Sequence, residues 1–210
     1  AYINKKEWKA SEEILAPVFA NGDEHDNAEL MKYYAQAFYE QGDYKNALPF
    51  YKKLYEQDNS DLNTAWLYAR CLEANGQTSA ALKIYSSIGE KGAYRLGLIL
   101  QKQGKTLEAA EAFAGSSEAV SLWQAARIWD TGGMQDKAVE TYARIASIAS
   151  LYQDDAAYRA YVLSQRAGRN DTDKLMDVLK YHPAWMVRLG KEPVFPELSD
   201  ITYQKPEYLK

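Results

Sequence analysis

Four glycines constrain this chain more than anything else in it. Gly42, Gly76, Gly104 and Gly133 are each followed five residues later by an alanine (Ala47, Ala81, Ala109, Ala138), and four residues beyond that by an aromatic (Tyr51, Tyr85, Phe113, Tyr142). The three markers travel together at intervals of 34, 28 and 29 residues (42 to 76, 76 to 104, 104 to 133). A period of this size belongs to an array of stacked supersecondary units, each unable to bury its apolar face alone. Each Gly is expected to end a helix where the backbone turns left-handed. The Ala, one turn into the next helix, lets two helices approach closely, and the aromatic at i+4 fills the space so enclosed. Before the glycines, apolar residues recur at helical spacing: Met31, Tyr34, Ala35 and Phe38 in one unit, Leu122, Ala125, Ala126 and Trp129 in another. Every unit therefore reads as helix, tight turn, helix. Because the markers keep their distances within a unit, the contraction from 34 to 28 residues is expected between hairpins.

At this point the chain resembles a tetratricopeptide repeat protein. The stretch "AELMKYYAQAFYEQGDYKNALPFYKKLYEQDNSD" carries the small and apolar residues of that family at Met31, Tyr34, Ala35 and Phe38, then Gly42, Tyr44, Ala47 and Tyr51, with Asn59 where the family commonly has proline. "YARCLEANG" and "AALKIY" continue the likeness, and "YRLGLILQKQGK" holds the Leu-Gly pair at Leu96 and Gly97. The resemblance implies an all-α, right-handed α-α superhelix, locally irregular where the spacing shortens. The expected organisation is a partial repeat over 1–27, repeats over about 28–61, 62–89, 90–118 and 119–153, and a degenerate repeat over 154–182. In the last, Asp173 and Asp177 stand where Ala and an aromatic belong. Residues 183–210, with Pro193, Pro196 and Pro206, read as a tail or linker. In register, Tyr2, Lys6, Ser11 and Leu15 answer Phe38, Gly42, Ala47 and Tyr51, so the chain opens inside a repeat and is expected to be a piece of a longer array.

Composition narrows the functional classes. With 47% hydrophobic and 26% charged residues the chain has the make-up of an ordinary folded protein. A net charge of -4 gives no general basis for nucleic-acid binding. No apolar run reaches eighteen residues, so membrane insertion is not expected, and nothing fixes a compartment. The single Cys71 lies on an apolar helical stretch and reads as core. His25 and His182 fall in different units, and no His or Cys lies at ligand spacing to another, so no metal is expected. "DEHDN" at 23–27 lacks the Gly and distal Glu of a calcium loop. "GAYRLG" has P-loop glycine spacing but is followed by Leu98 and Ile99. No nucleophile with a marked base stands out, and neither catalysis nor a cofactor is expected.

One pattern remains. Trp66, Arg70 and Glu73 recur as Trp123, Arg127 and Asp130, 57 residues on (66 to 123), inside two sixteen-residue stretches that also share Ala69/Ala126, Gly76/Gly133 and Ala81/Ala138. Residues at i, i+4 and i+7 share one stripe of a helix, distinct here from the apolar stripe that packs the hairpin. Elsewhere that stripe holds Lys32, Gln36 and Tyr39, then Tyr94, Leu98 and Gln101, then Tyr158, Val162 and Gln165. The resemblance implies that it lines a concave groove gripping a peptide or partner protein, with Lys32, Gln36, Tyr39, Trp66, Arg70, Tyr94, Trp123, Arg127, Asp130 and Tyr158 as contacts. Trp, Tyr and Arg are the residues that dominate binding hot spots. Equally open is a packing role: i,i+3 ion pairs Arg70–Glu73 and Arg127–Asp130, with the tryptophans lodged against the next repeat. The dicarboxylate clamp of the family is not expected, since Gln36 and Leu67 replace its asparagines. Two further readings stand beside the groove: a superhelical accessory domain of an envelope-polysaccharide enzyme, of lytic transglycosylase or glycosyltransferase type, and homodimerisation through an exposed repeat end at Tyr2, Ile3 and Trp8.

Overall fold

The computed structural model describes residues 7–20, 27–170 and 172–192, all of them helix or short link. It divides into two compact units, Ala1–Ser116 and Ser117–Lys210. The first holds α1 (Trp8–Ala20), α2 (Ala28–Glu40), α3 (Tyr44–Gln57), α4 (Leu62–Ala74), α5 (Thr78–Ser87), α6 (Glu90–Lys102) and α7 (Thr106–Ala114). The second holds α8 (Ala119–Thr131), α9 (Gln135–Ala146), α10 (Gln153–Arg166), α11 (Asp173–Leu179) and α12 (Pro183–Arg188). From α1 to α7, and again from α8 to α11, each helix packs on its successor, while α6 reaches back to α4 and α11 to α9.

The markers do what their spacing requires. At Gly42, Gly76, Gly104 and Gly133 the backbone has φ between 75° and 80°, a region closed to most side chains. Ala47, Ala81, Ala109 and Ala138 have no exposed surface, and Tyr51, Tyr85, Phe113 and Tyr142 are at most 1% exposed. α1 carries the register of a second helix, with Ser11 buried at the alanine position.

The contraction between repeats is shared between the link, as the marker spacing suggests, and the second helices, which it does not suggest. The second helices themselves shorten, from 14 residues in α3 to 10 in α5 and 9 in α7. Only Ile88 and Gly89 then separate α5 from α6. So tight a link brings the first turn of α6 against the last of α5: a Cβ on Gly92 would lie 2.1 Å from the Tyr85 carbonyl oxygen.

In the longer link after α3, the Asp58 carboxylate accepts from the Ser60 N–H at 2.9 Å and hydroxyl at 2.6 Å, and Asp61 caps α4. An aspartate turn thus serves where proline was absent.

Within 183–210 the structure shows one further element. Pro183 occupies the first turn of α12, where its missing N–H costs nothing. Pro193, Pro196 and Pro206 lie outside the described residues, as do Tyr2, Ile3 and His25.

Candidate functional site

The stripe on the first helices is built around two acids. Glu73, near the end of α4, accepts a hydrogen bond from the Tyr85 hydroxyl at 3.0 Å. Arg95 of α6 reaches both of its oxygens through Nη2, at 2.9 and 3.0 Å, and Arg70 donates from Nη1 at 3.1 Å. One carboxylate therefore ties its own hairpin to the next. Burial, with the Glu73 charge beside it, pushes the Tyr85 hydroxyl far above its ordinary pKa. The Arg70 guanidinium also lies 5.8 Å from the Trp66 ring centre and beside Tyr39. Burial raises the Tyr39 hydroxyl despite that neighbour.

In the second unit Asp130 repeats the scheme more loosely. The Tyr142 hydroxyl donates to it at 3.5 Å, and Arg159 of α10 stands 3.8 Å away. Burial and the Asp130 charge push the Tyr142 hydroxyl up to about 12. Arg127 is exposed and makes no salt bridge among the described residues, so the i,i+3 pair seen at Arg70–Glu73 is not repeated by Arg127 and Asp130. Trp123 is half-buried, edge-on to Tyr142 at 5.4 Å and stacked on Tyr152 at 5.3 Å.

Of the other stripe residues, Lys32, Gln36, Tyr39, Tyr94 and Tyr158 are engaged by neighbours. Lys32 pairs with Asp61 at 3.1 Å and remains half exposed. Gln36 donates to Glu40 and accepts from the Tyr51 hydroxyl at 3.2 Å. Tyr39 meets Tyr44 and Tyr51 edge-on, and Tyr94 packs on Phe113 at 5.7 Å. Tyr158 is stacked on Trp185 of α12 at 4.5 Å, and the Trp185 indole donates to Asp154 at 2.9 Å. Burial of Asp154 works against its charge, yet the indole hydrogen bond, helped by the α10 backbone and His182, holds its pKa below the usual range.

Hairpins, turn glycines, buried Ala-aromatic pairs and a first-helix stripe are now all in view, and residues 38–93 match the family model described as tetratricopeptide repeat. That stretch, from the end of α2 to the start of α6, is similar to tetratricopeptide repeats. No curated protein matches the chain. Among solved structures, the repeat array is similar to the C-terminal part of a TPR repeat-containing protein from Cytophaga hutchinsonii, with a TM-score of 0.60 at 12% identity, over 88% of this chain and 79% of that one. It is also similar to YrrB, described as a TPR protein with an unusual peptide-binding site (TM-score 0.51, 17% identity, 86% of this chain and all of that one). MamA gives a TM-score of 0.51 at 17% identity, over 82% of this chain and 99% of that one. At such identities the likeness is one of fold.

Sequence reasoning placed the tryptophans, arginines and acids of the repeats on one stripe but missed what holds the acids. Arg95 and Arg159 were not singled out, and Tyr85 and Tyr142 were marked only as packing aromatics, not as donors to the acids. A signal was present: Arg95 and Arg159 both stand nine residues before a turn glycine. The hairpin with Gln101 in place of the acid, moreover, has Phe113 in place of tyrosine. Cys71 is fully buried, and burial pushes its thiol up to about 12, which suits an inert core residue. Among the described residues no group of three or more His, Cys, Asp or Glu is arranged to hold a metal ion, and no helix is long and apolar enough to cross a membrane.

Proposed function

We propose that this chain is a non-catalytic interaction module that holds peptide segments of partner proteins on its first-helix stripes. The first unit offers Tyr39, Trp66, Arg70 and Tyr94, and the second Trp123, Arg127 and Tyr158. The observation that carries this reading is the state of Arg127. With Asp130 answered by Tyr142 and Arg159, Arg127 stands exposed, with no salt bridge among the described residues, one helical turn from the half-buried Trp123. A cation beside an aromatic ledge, held on a rigid helix, suits a peptide carboxylate followed by an apolar side chain. The peptide-binding description of YrrB supports the same class of ligand by analogy of fold alone.

The test is a Trp66→Ala/Trp123→Ala double variant compared with the wild type for capture of partners from a lysate of the source cell. A partner held by the wild type and lost by a variant with an unchanged far-UV spectrum supports the stripe as the binding surface. Equal capture by both, or collapse of the helical spectrum, makes the tryptophans packing residues and ends the proposal.

A further inference from the structure

Glu73 is shared by more cation than one carboxylate can answer. Its four contacts, from the Tyr85 hydroxyl, from Arg70 Nη1 and twice from Arg95 Nη2, all lie between 2.9 and 3.1 Å. An ionised carboxylate offers about four lone-pair positions, whereas two guanidiniums bring about ten N–H donors. Glu73 is therefore full while both arginines keep donors it cannot take. Arg95 Nε is buried without an acceptor, one of two such side-chain atoms among the described residues. No other carboxylate pairs with Arg70 or Arg95 among the described residues, so the cluster holds one positive charge in excess.

That excess is sheltered but reachable, since the side chains of Arg70, Glu73 and Arg95 are 21%, 23% and 27% exposed. The half-buried Trp66 ring lies 5.8 Å from the Arg70 guanidinium. From α4 the stripe continues to α2 on one side, where Tyr39 stands beside Arg70, and to α6 on the other, where Tyr94 precedes Arg95.

We propose that Arg70 and Arg95 form a subsite for the side-chain carboxylate of an aspartate or glutamate within a bound peptide, a reading that rests on the stripe being the peptide surface. One surplus charge matches one carboxylate. A phosphomonoester carries about 1.5 to 2 negative charges and would leave the sheltered cluster negative. Because the stripe runs on past the cluster on both sides, the acid lies inside the segment and not at its terminus. Trp66 takes its apolar neighbour.

The experiment is a fluorescence-anisotropy titration of the full chain carrying Arg127→Gln, which removes the exposed cation of the second unit, with a labelled, capped peptide Ser-Leu-Glu-Leu-Ser. Saturable binding is expected. Gln for Glu in the peptide should weaken it about tenfold or more, equivalent to about 1.4 kcal/mol, and so should Arg70→Gln in the protein, with thermal melts checking that the variant is folded. Glu73→Gln raises the surplus to two charges and should tighten binding of the Glu peptide about threefold or more, an effect that a purely structural acid would not produce. Equal titrations with the Glu and Gln peptides, no gain in Glu73→Gln, or no saturation at millimolar peptide overturns the proposal. So does tighter binding of the phosphoserine peptide when Glu73 is present, or a Gln peptide with a free terminal carboxylate that matches the Glu peptide. Binding shown by the wild type and abolished by Arg127→Gln alone would overturn this subsite and leave the stripe reading standing.

Discussion

Removing the Glu73 carboxylate strands the hydroxyl of Tyr85, a residue with no exposed surface, and leaves Arg70 and Arg95 without their acid. A buried donor deprived of its acceptor costs about 1 to 3 kcal/mol, so Glu73→Ala is expected to lower unfolding stability by about 2 to 3 kcal/mol. Asp130→Ala removes a longer hydrogen bond from the equally buried Tyr142, at 3.5 Å, and a 3.8 Å contact to the largely exposed Arg159, and should cost about 1 kcal/mol. Urea denaturation of both variants checks the difference, and equal losses would mean that the shorter bonds around Glu73 contribute nothing extra. Register placed both acids on one stripe from sequence alone. Their unequal surroundings were not legible there, because Tyr85 lies 12 residues and Arg95 22 residues from Glu73 and both meet it only through packing.

At the scale of helices, each start and crossing depends on a few atoms. Asp61 caps α4 by accepting from the Asn63 and Thr64 N–H groups, and it also bonds the Thr64 hydroxyl and Lys32. The Thr64 hydrogen bond, aided by Lys32 and the two backbone donors, outweighs burial and lowers the Asp61 pKa to about 2. A carboxyl depressed in the folded state stabilises fully above its unfolded pKa of about 3.9, and that contribution is lost as pH falls through the folded value. The wild type should therefore lose this increment between about pH 4 and pH 2. Asp61→Ala should be about 1 kcal/mol less stable at neutral pH, with the gap closing in that acid window. Thermal melts across pH follow it directly. Helix crossing sets a second demand, since a Cβ on Gly97 of α6 would lie 2.5 Å from Cδ1 of the fully buried Phe113 ring. Gly97→Ala gains about 1 kcal/mol of helix propensity but overpacks a core contact at about 1 to 3 kcal/mol. The expected result is a lower melting temperature, partly restored by adding Phe113→Leu; a rise would show that the ring yields. The Leu-Gly pair was visible only as part of the family likeness, whereas Phe113 was already marked by its own spacing.

Over the whole chain, the positions that repeat were the legible ones: turn glycines, buried alanines and the aromatics one turn on all follow from local backbone geometry. Unreadable were the contacts made between distant segments, such as the indole of Trp185 laid on Tyr158 and Arg95 brought onto Glu73. These depend on how two distant segments pack together, and no single segment records that. The Glu73–Arg95 and Asp130–Arg159 contacts carry a consequence for how such a chain can be copied. Acceptors sit in the α4/α5 and α8/α9 hairpins, donors in the α6/α7 and α10/α11 hairpins, so the pattern closes only over two hairpins taken together. A single hairpin excised or duplicated would separate an acid from its arginine, whereas a pair carries both. The gene segment that can be moved intact is therefore twice the length of the repeat that packs the core, and shuffling experiments should cut in twos.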